Sequence, residues 1–130
     1  MTSTQHDIPF AKHLGIEILP ASQGEAHLRV KVLEAHTNRF GTAHGGFLNA
    51  LADTALEVAS NSYDVQAVAL TTSMQYHKSA SIGAIVEVSA RETHRGRSTA
   101  TYHIELTTSG NLLATFTGTV FRKQPAMKLS

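Results

Sequence analysis

A chain of 130 residues, 42% of them apolar, with a formal net charge of +1, is long enough for one domain with a sizeable core and too evenly charged to call for nucleic acid. It has no cysteine, which excludes disulfides, thiolate nucleophiles and thiolate metal sites. No run approaches the ~20 apolar residues of a membrane span and residues 1–7 lack a signal-peptide core, so the expectation is a single-domain (residues 1–130), soluble, cytoplasmic protein with no membrane partner.

Residues 8–14 predict a short helix, with Pro9 in its first turn and Gly15 as its stop. Residues 16–19 read as a short strand and residues 20–24 as a turn. Residues 25–32 place Ala26, Leu28, Val30 and Val32 on one face, which predicts a half-buried strand closing a hairpin. Residues 33–43 form a loop. The one long helical pattern covers about residues 44–61. Phe47, Leu48, Leu51, Ala52, Ala55, Val58 and Ala59 make its apolar face, and Asn49, Asp53, Glu57 and Ser60 its polar face.

Four strand-like pieces follow, at residues 65–76, 85–91, 99–107 and 112–122. The turns between them carry Ser81-Ile82-Gly83, Arg95-Gly96-Arg97 and Ser109-Gly110-Asn111. The connections are too short for parallel crossovers, so meander spacing and an antiparallel sheet are expected. One long helix against about five or six antiparallel strands is an α+β layout. Free strand edges would be a liability, which pairing edge to edge with a second copy would remove.

Chemistry concentrates around residues 38–53. The first amides of a helix have no intrahelical partner and carry the positive end of its dipole. Gly45 and Gly46 leave such amides open, as an oxyanion hole requires. Asp53, further along the helix, can serve as base or nucleophile. His44 can support the same carbonyl, and Asn38 can hold it or a water. Each residue also has a plain structural reading: a tight loop-to-helix turn for the glycines, a cap for His44, a solvated helix face for Asp53 and turn chemistry for Asn38.

The run Asn38…Gly41-Thr42-x-His44-Gly45-Gly46…Leu51-Ala52-Asp53 resembles the active-site signature of hotdog-fold acyl-CoA thioesterases, closest to the phenylacetate-degradation branch. The resemblance implies a long central helix wrapped by a curved antiparallel sheet, and a homodimer, often paired into a homotetramer. It implies a site shared between subunits, with Asn38, His44 and Gly45 from one protomer and Asp53 from the other. Gly45 N–H would polarise the thioester carbonyl, with Asp53 acting as general base on water or as nucleophile. Relatives add a Ser or Thr from the strand after the helix, for which Thr71, Thr72 and Ser73 are available and Thr71 and Ser73 share a face.

There are departures. Some relatives carry Ser or Thr one turn after the carboxylate, where this chain has Glu57. The segment Tyr76-His77-Lys78-Ser79-Ala80 lacks the Arg-Pro often found there. Asp53 and Glu57 at i, i+4 face the same way, and such proximity raises a carboxyl pKa. The phosphates of coenzyme A call for basic side chains at a rim. The expected CoA contacts are Gly46, Lys78, Arg95, Gly96 and Arg97, with His94, Arg122 and Lys123 near by. The eight histidines are scattered and show no metalloprotease spacing, so neither metal nor cofactor is expected. An acyl-thioester dehydratase and a non-catalytic acyl-CoA sensor are the alternatives on the same fold.

Overall fold

The computed structural model describes residues 7–123. The polar N-terminal stretch through His6 lies outside the described residues. Helix α1 covers Pro9–Leu14, and Gly15 ends it in the left-handed region (φ 76°), where its N–H reaches the carbonyls of Ala11 and Lys12. Strands β1 (Glu17–Leu19) and β2 (Glu25–Lys31) form the expected hairpin, pairing Glu17 with Arg29 and Leu19 with His27. A 3-10 turn at Glu34–His36 interrupts the following loop. Helix α2 covers Gly45–Ser60, followed by β3 (Gln66–Tyr76), β4 (Ile85–Arg95), β5 (Thr99–Thr108) and β6 (Asn111–Lys123).

The six strands form one antiparallel sheet in the order β1-β2-β4-β5-β6-β3. This corrects the expected four-strand meander. Only β4, β5 and β6 follow one another as neighbours; β3 pairs with β6 at the far edge. The Ser81-Ile82-Gly83 turn therefore lies on a crossing between strands that do not pair. Strand β4 also runs past its expected end to Arg95, over an irregularity between Glu92 and His94, so Arg95 lies in a strand rather than a turn.

Helix α2 packs against β2, β3, β4, β5 and β6. Its seven apolar-face residues are all buried, and Leu56, Thr54 and Ser60 are buried with them. Ser60 thus leaves the polar face assigned to it: its hydroxyl turns back to the Glu57 carbonyl. From Leu51 to Ser60 only Asp53 and Glu57 stay exposed. Gly118 of β6 allows the close approach of helix to sheet, because a Cβ there would sit 2.7 Å from Leu56 Cδ2.

Strand β3 is the long edge of the sheet, the other edge being the three-residue β1. Ala67 is its one fully buried residue, while Val68 and Leu70 are 51% and 56% exposed.

Candidate active site

The start of α2 is built by the loop before it. Asn38 Oδ1 accepts from the N–H groups of Phe40 (2.9 Å) and Thr42 (3.2 Å) and from the Thr42 hydroxyl, so this oxygen is spent on turn chemistry. Gly41 supplies a left-handed φ of 78° at the tip. The His44 N–H then bonds the His36 carbonyl at 2.8 Å, and His44 becomes the N-cap.

The His44 ring Nδ1 accepts the Gly46 N–H at 2.8 Å, so the neutral ring carries its proton on Nε2. This separates the two glycines. A Cβ on Gly46 would sit 3.0 Å from His44 Nδ1, so small size at 46 serves the cap; a Cβ on Gly45 would meet only ordinary contacts, 3.5 Å from the Tyr76 ring. The Gly46 amide, an expected CoA contact, is taken by His44. The Gly45 N–H, at the first helical position, has no intrahelical acceptor and no bond to another group among the described residues.

Tyr76, the last residue of β3, donates its hydroxyl to the Gly45 carbonyl at 3.0 Å. Sequence reasoning missed it: the contact spans 31 residues, and a tyrosine at a strand end carries no local sign of its partner.

Asp53 and Glu57 line a cleft of about 330 Å³ with Ser60, Asn61, Ala67 and Val68. Burial raises the Asp53 pKa above its ordinary value, and burial followed by the Asp53 charge raises that of Glu57. Neither carboxylate has a cation partner among the described residues.

Gly45 lines a different cleft. It shares about 340 Å³ of space with Asn38, Leu48, Tyr76, His77 and Lys78. A separate apolar cleft of about 270 Å³ is lined by Phe10, Leu14, His36, His44, Phe47 and Ala50, with His36 stacked on Phe47 at 4.0 Å. Eight residues of helix at 1.5 Å per residue put Gly45 and Asp53 ~12 Å apart along the axis. Asn38, His44, Gly45 and Lys78 thus come together at the helix start, and Asp53 joins Glu57, but one chain does not bring the two groups to a single carbonyl.

Thr71 and Ser73 pair with Thr119 and Thr117, whereas Thr72 and Met74 pair with Gly118 and Phe116. Directly opposed residues share a face, so Thr71 and Ser73 point away from α2 and Thr72 points toward it. Neither Thr71 nor Ser73 lines the Asp53 cleft, whose β3 wall includes Ala67, Val68 and Ala69. The basic hairpin lies at the opposite end from Lys78. Arg95 stacks over Tyr63 at 4.3 Å, near the Glu92 carboxylate that accepts from the hydroxyls of Tyr63 and Tyr102. The Gly96 carbonyl accepts from Arg122 at 2.9 Å, and Arg97 is next in the same turn. Among the described residues no cluster of His, Asp or Glu could hold a metal, and no helix is long and apolar enough to cross a membrane.

Residues 40–115 match the Thioesterase superfamily. The acyl-coenzyme A thioesterase PaaI of Escherichia coli is 34% identical over 96 residues, covering 74% of this chain and 69% of that protein. The structure of a mutant of phenylacetic acid degradation protein PaaI from Thermus thermophilus superposes with a TM-score of 0.86 at 47% identity, covering 88% of this chain and 99% of that one. A hypothetical thioesterase protein from Streptococcus pneumoniae, solved with coenzyme A, gives a TM-score of 0.79 at 27% identity, over 82% and 87% of the two chains. A central helix flanked by a six-stranded antiparallel sheet, an open amide at its start, a carboxylate along it and these likenesses agree: the chain belongs to the thioesterase superfamily, among the hotdog-fold thioesterases of the PaaI type.

Proposed function

We propose that the protein hydrolyses acyl-CoA thioesters as a homodimer, with each site assembled from the helix start of one protomer and Asp53 of the other. The observation that carries this reading is the separation of Gly45 and Asp53 into different clefts of one chain, beside a long open strand edge whose pairing would join two copies. In the Streptococcus pneumoniae neighbour the same fold is seen with coenzyme A.

In this reading the Gly45 N–H donates to the thioester oxygen as it gains negative charge. His44 holds the helix start and offers its Nε2–H on the same side. Asp53 takes a proton from water as the water attacks the acyl carbon; the C–S bond then breaks, leaving the carboxylic acid and the CoA thiolate. Attack by Asp53 itself, through an anhydride, is the second route open to the same carboxylate. The two clefts near the helix start suit the two ends of the substrate: the apolar one the acyl group, the one with Lys78 the polyanionic CoA arm. Thr71, Ser73 and the Arg95–Arg97 hairpin would act on a bound substrate only from a partner subunit or at the distal phosphates.

The test is thiol release from a panel of aliphatic and aromatic acyl-CoAs. Release from at least one is expected, and none from any by the folded protein would overturn the reading.

The pH dependence has a definite sign. A base works when ionised, and the Asp53 pKa is raised by burial, so kcat/KM should fall as pH drops through a midpoint above the ordinary aspartate value. Glu57→Lys places a cation one turn away, favours the ionised Asp53 and should move this acid limb to lower pH. A limb that stays in place or moves upward would contradict the assignment of Asp53 as the base.

A further inference from the structure

We propose that Tyr76 is a positioning residue for the oxyanion donor, holding the Gly45–Gly46 peptide from the side opposite His44. The inference rests on the reading of Gly45 N–H as that donor. The peptide between Gly45 and Gly46 is gripped at both ends: its N–H gives to His44 Nδ1 at 2.8 Å, and its C=O takes the Tyr76 hydroxyl at 3.0 Å. The preceding peptide, which carries the Gly45 N–H, has its own carbonyl bonded by the Leu48 N–H at 3.0 Å. With both neighbouring planes held, the direction of the Gly45 N–H is set before substrate arrives.

The need for such a grip comes from the sequence. Two successive glycines are the most mobile backbone available, and an oxyanion donor works only if it is oriented in advance. Neither glycine has a side chain to pack, so restraint has to come from elsewhere. Strand β3 delivers it across 31 residues. The chain after Tyr76 is laced in place: the N–H groups of His77 and Lys78 both bond the Leu113 carbonyl, and the Ala80 carbonyl accepts the Ala43 N–H one residue before His44. Helix start and tyrosine are therefore tied through the same hydrogen-bonded backbone. Tyr76 is 52% exposed, so its hydroxyl is placed there without Tyr76 being a core residue.

Tyr76→Phe keeps the ring and deletes the hydroxyl. The expected result is a kcat lower by about ten- to hundredfold, with KM and melting temperature close to wild type and faster amide hydrogen exchange at Gly46. Unchanged kcat would overturn the proposal, as would a rise in KM alone, which would make Tyr76 a cleft wall only. Failure of the underlying reading looks different: wild type itself would then release no thiol, whatever the Gly46 exchange rate shows.

Discussion

Asp53→Ala is expected to lower kcat/KM for acyl-CoA hydrolysis by a factor on the order of 10² to 10⁴, the range for a positioned base. The melting temperature should hold or rise slightly. Asp53 is exposed within a helix otherwise buried through this stretch, has no cation partner among the described residues, and burial opposes its ionised form. Its charge gains no ion pair in the described chain, and alanine is the better helix former. Asp53→Asn keeps the shape and should bind acyl-CoA without turning it over. Activity of either variant equal to wild type, measured as thiol release, would remove Asp53 from the chemistry.

The second large effect concerns assembly. Leu70→Lys with Gln75→Lys puts two charges on the open edge of β3, where both side chains are exposed in one chain and stand outside the Asp53 cleft, and lysine discourages edge pairing. The pair should turn a dimer into a monomer by sedimentation equilibrium and lower activity by at least ~10², because the oxyanion donor is worth that much and a lone chain keeps it ~12 Å of helix from Asp53. Full activity in a proven monomer would refute a shared site. Wild type that sediments as a monomer while active would do the same.

The two results report on different links. Asp53 tests whether the carboxylate does chemistry. The β3 charges test whether two chains are needed to bring that carboxylate to a carbonyl. A variant defective in the first and sound in the second should still form the dimer, since Asp53 is not on the strand edge.

Much of this was legible in the residues alone. The apolar stripe from Phe47 to Ala59 placed α2 within a residue of its observed bounds, because a helix that packs along one side repeats its burial every three or four positions. Alternation set β2 for the matching reason in strands. Gly15 ended α1 in a left-handed conformation that suits glycine. The signature from Asn38 to Asp53 marked the helix start and its carboxylate, since both lie within one short stretch of chain.

What local pattern did not decide was which strands are neighbours. The spacing of β3 and β4 suits a hairpin, yet β3 pairs with β6, because pairing depends on the whole sheet closing over α2. The same holds at the site. Gly46 is needed for the ring of His44, Asn38 spends its side-chain oxygen on its own turn, and Thr71 faces away from the helix while Thr72 faces it. By itself the sequence determined the elements, the helix start and the carboxylate, since periodicity and capping are short-range. Only the tertiary structure decided that Tyr76 holds the glycine pair and that Asp53 and Gly45 open into separate clefts, since those contacts join residues whose separation along the chain carries no sign of their meeting.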